Sequence, residues 1–216
     1  MTQPFIRNHQ YNFIKKQADH VLRTHNTVSD PKVLEAVIFL AESKIMELFP
    51  ELSKEQKDLL QPITTCKTSQ DFSEYLNRLS EYTIDFPAIT EAQIKKLFPK
   101  SKKLKLPDLA NMEISKLTYL GWIDIATNKI YFVYPENGKF IGVEGRFTPG
   151  NKKNLCSLCH GHEEVALVTA ISKAKSSLSP DYYKAVGNYM CVDSEKCNKR
   201  ITDVSQLEDF FQRVLV

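Results

Sequence analysis

Four cysteines stand in two pairs in the last third of the chain, and they constrain its folding more than any other feature. Cys156 and Cys159 enclose Ser157 and Leu158; after 31 intervening residues come Cys191 and Cys197, which enclose five. A tight turn of the first kind aims two thiolates and nearby backbone N–H groups at one point, and a second pair completes a tetrahedral set. Zinc draws no geometric preference from its filled d shell, so any loop that brings four thiolates together satisfies it. The spacing predicts one structural zinc ion on Cys156, Cys159, Cys191 and Cys197, with no position left for a catalytic water. In small modules such an ion contributes about 10–16 kcal/mol of apparent binding energy at neutral pH. Four thiolates around a divalent ion leave excess negative charge, which Lys152, Lys153, Lys196, Lys199 and Arg200 stand close enough in sequence to offset. A redox CxxC leaves the second pair unexplained. An iron–sulfur cluster, and replacement of one cysteine by His160 or His162, stay open as alternatives.

A fifth cysteine, Cys66, makes the count odd. Met1–Arg7 runs straight into a polar helical pattern, so no signal peptide is expected, and the longest apolar stretch, near Val37–Leu40, is far too short to span a bilayer. These features predict a soluble cytoplasmic chain with no membrane contact and free thiols. Cys66 reads as a buried structural thiol.

The rest of the chain falls into two parts. Tyr11, Ile14, Ala18 and Val21 recur at helical spacing. Asp30-Pro31 is a cap followed by a first-turn proline, and the apolar face Val33, Leu34, Val37, Ile38, Ala41 and Ile45 follows it. Ser53 and Gln56 form a capping box, Pro62 is expected to shorten the helix it opens, and Thr68 or Ser69 caps a fourth helix with Phe72, Tyr75, Leu76 and Leu79. Residues 1–84 are therefore expected to form a four-helix bundle. Pro87 biases the preceding residue away from helix, which puts a boundary near 84–87.

Residues 85–216 read as a mixed α/β domain. Thr90 with Gln93 opens one helix. Then 117–125, 129–134 and 139–147 are rich in aromatic and β-branched residues, with turns at Asn128 and Glu136-Asn137-Gly138. Thr148-Pro149-Gly150 is expected to end that antiparallel meander. Val165, Leu167, Thr169 and Ile171 alternate as in a half-buried strand; a loop through Ser176–Pro180 leads to a partner strand at 185–190. Ser205 with Glu208 reads as a capping box opening a last helix with Leu207, Phe210, Phe211 and Val214 on one face. The class is α+β, with the zinc-binding region at about 150–216.

Function classes narrow next. Glycine-rich phosphate loops, a nucleophile elbow and HExxH are all missing, and no carboxylate pair stands at a spacing suited to acid–base work, so an enzyme is not expected. Charge is uneven: residues 1–85 carry 10 Lys and Arg against 12 Asp and Glu, residues 86–216 carry 19 against 14. Lys95, Lys96, Lys100, Lys102, Lys103 and Lys105 form a basic run suited to phosphates, which keeps a zinc-stabilised RNA- or ribosome-binding module as the alternative reading. A solvated face is the plain explanation of such a run.

Taken in order, the chain length, the helical first part, Gly145-Arg146-Phe147, the paired cysteines and Tyr183-Lys184-Ala185-Val186-Gly187-Asn188-Tyr189-Met190-Cys191 resemble the fusidic acid resistance proteins of the FusB type. The resemblance covers essentially the whole chain. It implies a treble-clef-like zinc region and a protein that binds elongation factor G. It further implies that this binding helps the factor leave the ribosome when fusidic acid traps it there, so the drug's target is protected. The partner would be held one to one by a monomer through the zinc-bearing domain, the ribosome would be engaged only indirectly, and no small-molecule substrate is implied. Residue by residue, the resemblance carries partner contacts to Leu158, Lys184, Tyr189 and Phe210. Core packing of Phe210 beside Leu207 and Val214, and of Tyr189 within a strand, is the plainer alternative. The five-residue gap between Cys191 and Cys197 is wider than the usual knuckle and puts the local geometry of that pair in question.

Overall fold

The computed structural model describes residues 2–101, 103–172 and 184–215. It divides into two compact units, Met1–Ile84 and Asp85–Val216.

The first unit holds helices α1 (Asn8–Thr27), α2 (Pro31–Glu47), α3 (Lys54–Leu60) and α4 (Ser69–Ser80). Their starts follow from side chains that take up orphan backbone donors. Asp30 accepts the N–H of Lys32 ahead of Pro31, and Ser53 and Gln56 satisfy each other's backbone N–H groups. Thr68, rather than Ser69, caps α4, in a reciprocal box with Asp71. Pro62 has no N–H to continue α3, and the chain passes instead into a 3-10 turn, Gln61–Thr64. The apolar faces meet in one core that includes Ile14, Ala18, Val21, Ile45, Leu60, Ile63, Phe72 and Leu79. Cys66 is buried at its edge, where its Sγ approaches the Pro62 carbonyl at 3.3 Å and burial pushes its thiol pKa up. The unit is closed by its own ends: Ile6 donates to the Tyr82 carbonyl and Ile84 donates to that of Ile6.

The second unit opens with helix α5 (Glu91–Leu97), capped by Thr90 and Gln93 as expected. Strands β1 (Leu120–Asp124), β2 (Lys129–Glu136), β3 (Lys139–Leu155), β4 (His162–Ile171) and β5 (Ala185–Cys191) form one antiparallel sheet in sequential order. Asn137 and Gly138 both take positive φ between β2 and β3, the geometry that lets a two-residue hairpin follow the strand twist. Helix α6 (Ser194–Asn198) and helix α7 (Ser205–Leu215) complete the unit. The loop read at Ser176–Pro180 lies outside the described residues.

Two local expectations change. Pro149-Gly150 does not end the sheet: Pro149 still pairs with Ala166, the register shifts between Pro149 and Lys153, and pairing resumes as far as Leu155. An irregularity of that kind absorbs residues that do not fit the ladder and lets a strand tolerate proline. Helix α7 does start at Ser205, but the Asp203 carboxylate takes the Ser205 N–H and hydroxyl at its entry.

The sheet is covered on both faces over part of its width. Ile130, Phe132 and Tyr134 of β2, with Val168, Ala170, Val186 and Met190, pack on Leu207, Phe210, Phe211 and Val214 of α7. The alternate residues Tyr131 and Val133, with Leu120, pack on Phe86, Ile94 and Phe98. Among the described residues no helix is long and apolar enough to cross a membrane.

Candidate metal centre and contact surface

The four paired cysteines meet. Their Sγ atoms all lie within 4.8 Å of one another, and all four residues are buried. Cys156 and Cys197 stand 4.0 Å apart, Cys159 and Cys191 3.7 Å. A tetrahedron with Zn–S bonds of about 2.3 Å places sulfurs about 3.8 Å apart, close to the two separations above, so the donor set fits one zinc ion. His160 and His162 are exposed and outside this set.

Local structure explains the convergence. Cys156 follows β3, and the chain doubles back at once: His160 donates to the Cys156 carbonyl and takes a positive φ, and Cys156 donates to the Gly161 carbonyl. Ser157 N–H reaches the Tyr189 carbonyl at 2.8 Å, which pins this turn to β5. Cys191 is the last residue of β5. The five-residue gap to Cys197 is taken up by α6, whose N-cap Asp193 accepts the Lys196 N–H. A short helix swings Cys197 back toward the turn, which is why a wide gap still closes the site.

Two of the cations expected to offset the thiolate charge are themselves ion-paired, and Arg200 lies beside Gly161 and Cys159. Lys196 pairs with Asp193 at 3.6 Å, and Arg200 pairs with Glu163. Direct donors to sulfur are the backbone N–H groups of Leu158 and Cys191, each 3.4 Å from Cys156 Sγ. Hydrogen bonding with the neighbouring thiols, Cys159 first, pushes the Cys156 thiol far below its ordinary range. Cys191 and Cys197 are pushed upward by donating to their neighbours, Cys156 first. Zinc binding displaces these shared protons, so metal uptake releases protons. Tyr119, fully enclosed beside the cluster, is held well above the usual phenol range by burial first and by the neighbouring Cys197.

Asn198, the residue after the fourth ligand, ties α6 to the sheet domain. Its Oδ1 accepts the N–H groups of Thr118 at 2.6 Å and Tyr119 at 3.1 Å. Its Nδ2 donates to the carbonyls of Tyr119 and Ser194, both at 2.9 Å. The approach is close: a Cβ on Gly121 would come within 3.0 Å of Ser194 Cβ. Sequence reading identified neither Asn198 nor Tyr119. Only their proximity to Cys197 in space marks them.

Residues 94–212 match the family described as FBP C-terminal treble-clef zinc-finger, and residues 5–87 match Elongation factor G-binding protein, N-terminal. The chain belongs to the elongation factor G-binding protein family. No curated protein matches it. A solved structure described as that of the fusidic acid resistance protein FusC superposes with a TM-score of 0.81 at 26% identity, covering 100% of both chains. The treble-clef description and the cysteine cluster agree on one structural zinc.

The four expected contact residues separate into two groups. Leu158 is 1% exposed and Phe210 0%; both belong to the core around the sheet, with Phe210 edge-on to Phe132 at 5.7 Å. The turn after β3 folds Leu158 inward, and the α7 face that carries Phe210 covers the sheet. Tyr189 is 48% exposed, and Lys184, just before β5, is exposed with its carbonyl taking the Ser172 N–H. Tyr189 pairs across strands with Leu167, itself 38% exposed and paired with Thr148 of β3. Ile171 and Arg146 continue this exposed row. Leu167 and Ile171 escaped the sequence reading because their alternation looked like a buried face.

Proposed function

We propose that this protein binds elongation factor G through the open face of β4 and β5 and promotes the factor's departure from ribosomes stalled by fusidic acid. Resistance by target protection would follow, in the cytoplasm where translation runs. The observation that carries the reading is the exposed cross-strand pair Leu167–Tyr189, with Arg146 exposed in the same row opposite Thr169, on a sheet whose other face is sealed by α7. Family membership supplies the partner. A partly exposed aromatic held by strand pairing loses little entropy on binding and makes a good anchor, and cations around it add electrostatic selection. No bond is made or broken in this reading. Cys156 and Cys159, when they hold the metal, would fix the turn whose Ser157 N–H meets the Tyr189 carbonyl, and so steady the strand that presents the tyrosine.

Release requires that the contact favour an off-ribosome conformation of the factor, since equal affinity for both conformations shifts nothing. The stoichiometry is one to one and the protein acts as a monomer. Titration of the zinc-loaded protein into purified elongation factor G by calorimetry tests the first step. A saturable one-to-one isotherm at physiological salt is expected, and no heat at micromolar concentration refutes the reading. Release is tested separately, by the rate at which the factor leaves fusidic-acid-stalled ribosomes when the protein is added; an unchanged rate refutes that step alone.

A further inference from the structure

Ala92–Leu106 carries six lysines and no acidic residue. Lys102 lies outside the described residues, and Lys95 pairs with Glu91 at 3.7 Å. Lys96, Lys100, Lys103 and Lys105 are exposed, and no ion pair among the described residues engages them. The backbone beneath them is fixed. Phe98, Leu97, Leu104 and Leu106 pack into the core beside β2, Ser101 and Leu104 donate to the carbonyls of Phe98 and Ser101, and the Trp122 indole N–H holds the Lys105 carbonyl at 2.8 Å. Apolar residues turned inward leave the intervening lysines on the outside.

We propose that this segment is an RNA-binding surface that takes the phosphate backbone of a structured RNA helix. Two observations favour RNA over an acidic protein. Within Ala92–Leu106 no described large hydrophobic side chain is exposed, and the β1–β2 turn beside it offers one, Ile125, whereas the open face of β4 and β5 shows three in one row, Leu167, Ile171 and Tyr189. Protein interfaces draw their energy from buried apolar and aromatic anchors, while phosphate binding needs only cations that release counterions. The segment also has no arginine, so phosphates are met as point charges without bidentate reading of base edges, and binding is independent of sequence. This inference goes beyond factor binding and is carried by different elements of the same unit.

Four neutralised phosphates predict a slope of roughly −3.6 in log affinity against log salt, a weakening of roughly 150-fold between 50 and 200 mM. The test is fluorescence anisotropy of a labelled 20-base-pair RNA hairpin with the full-length zinc-loaded protein, over that salt range. Saturable binding at 50 mM with this slope is expected. Lys103→Gln combined with Lys105→Gln should lower the slope by about 2 and weaken binding on the order of 100-fold at 50 mM. Lys96→Gln with Lys100→Gln provides a second, independent pair, and zinc content and the urea midpoint serve as folding controls. Absence of hairpin binding at 50 mM, or a slope that neither pair alters, overturns the proposal. Loss of elongation factor G binding with hairpin binding retained also overturns it and makes the segment a protein interface instead. Factor binding measured by calorimetry on the same variants keeps this outcome separate from the failure of the proposed function.

Discussion

Asn198→Ala should loosen the zinc-bearing end from the sheet without touching a metal ligand. Asn198 is 2% exposed, and its amide makes the four backbone hydrogen bonds described above, at 2.6, 3.1, 2.9 and 2.9 Å. Each is worth about 0.5–1.5 kcal/mol net, and a buried group left without its partner costs about 1–3 kcal/mol. The Ser194 carbonyl lies within α6, so the losses that matter most are those at Thr118 and Tyr119, and the sum comes to about 3–4 kcal/mol. Trp122, the only tryptophan, lies in β1 and stacks on Tyr131 at 5.0 Å, so its fluorescence reports unfolding of this unit alone. Urea unfolding at saturating zinc should show the destabilisation. Zinc transfer to a chromogenic chelator should also quicken, because Cys197 and Asn198 share α6. A loss below about 1 kcal/mol with an unchanged transfer rate would refute the view that Asn198 anchors the fourth ligand.

Three further outcomes are expected. Cys159→Ala should abolish stoichiometric zinc binding and lower the urea midpoint of the Trp122-reporting unit; full zinc content by metal analysis would overturn the ligand assignment. Tyr189→Ala should weaken elongation factor G binding by about 1–2 kcal/mol while zinc content and stability hold, and Leu167→Ala should act similarly but less strongly. Loss of zinc or of folding in the tyrosine variant would instead make that side chain structural. Phe210→Ala should cost about 3–5 kcal/mol of stability, read by urea unfolding, with affinity for the factor unchanged wherever the protein is folded; a selective loss of affinity would return Phe210 to the contact surface.

Local signals were legible because their partners lie within a few residues. The capping residues Asp30, Ser53 and Thr90 start their helices where the sequence placed them, and Asn137-Gly138 makes the hairpin turn that its backbone freedom favours. The zinc ligands were legible for a related reason: a metal needs a particular donor set, and four cysteines in two pairs supply it wherever the intervening chain goes. Chemistry dictated the ligands, but not the path between them. That α6 would bring Cys197 home across the wide gap, and that Asn198 would lock this helix to Thr118 and Tyr119 some eighty positions earlier, depended on contacts distant in sequence.

Orientation was decided in three dimensions as well. Strand β4 carries apolar residues on both sides, so period-two alternation alone does not say which side is covered. Helix α7 settles it by packing on Val168 and Ala170, which leaves Leu167 and Ile171 open and turns Tyr189 outward beside them. The same packing encloses Phe210, and the cysteine turn encloses Leu158, so two aromatic or aliphatic positions expected at a partner surface became core. Capping, alternation and thiolate chemistry act locally or through composition, so the helical first part, the antiparallel strands and the zinc donors were readable from the residues alone. Which apolar face remained for a partner was decided only by tertiary structure, because burial is a property of what packs against a residue.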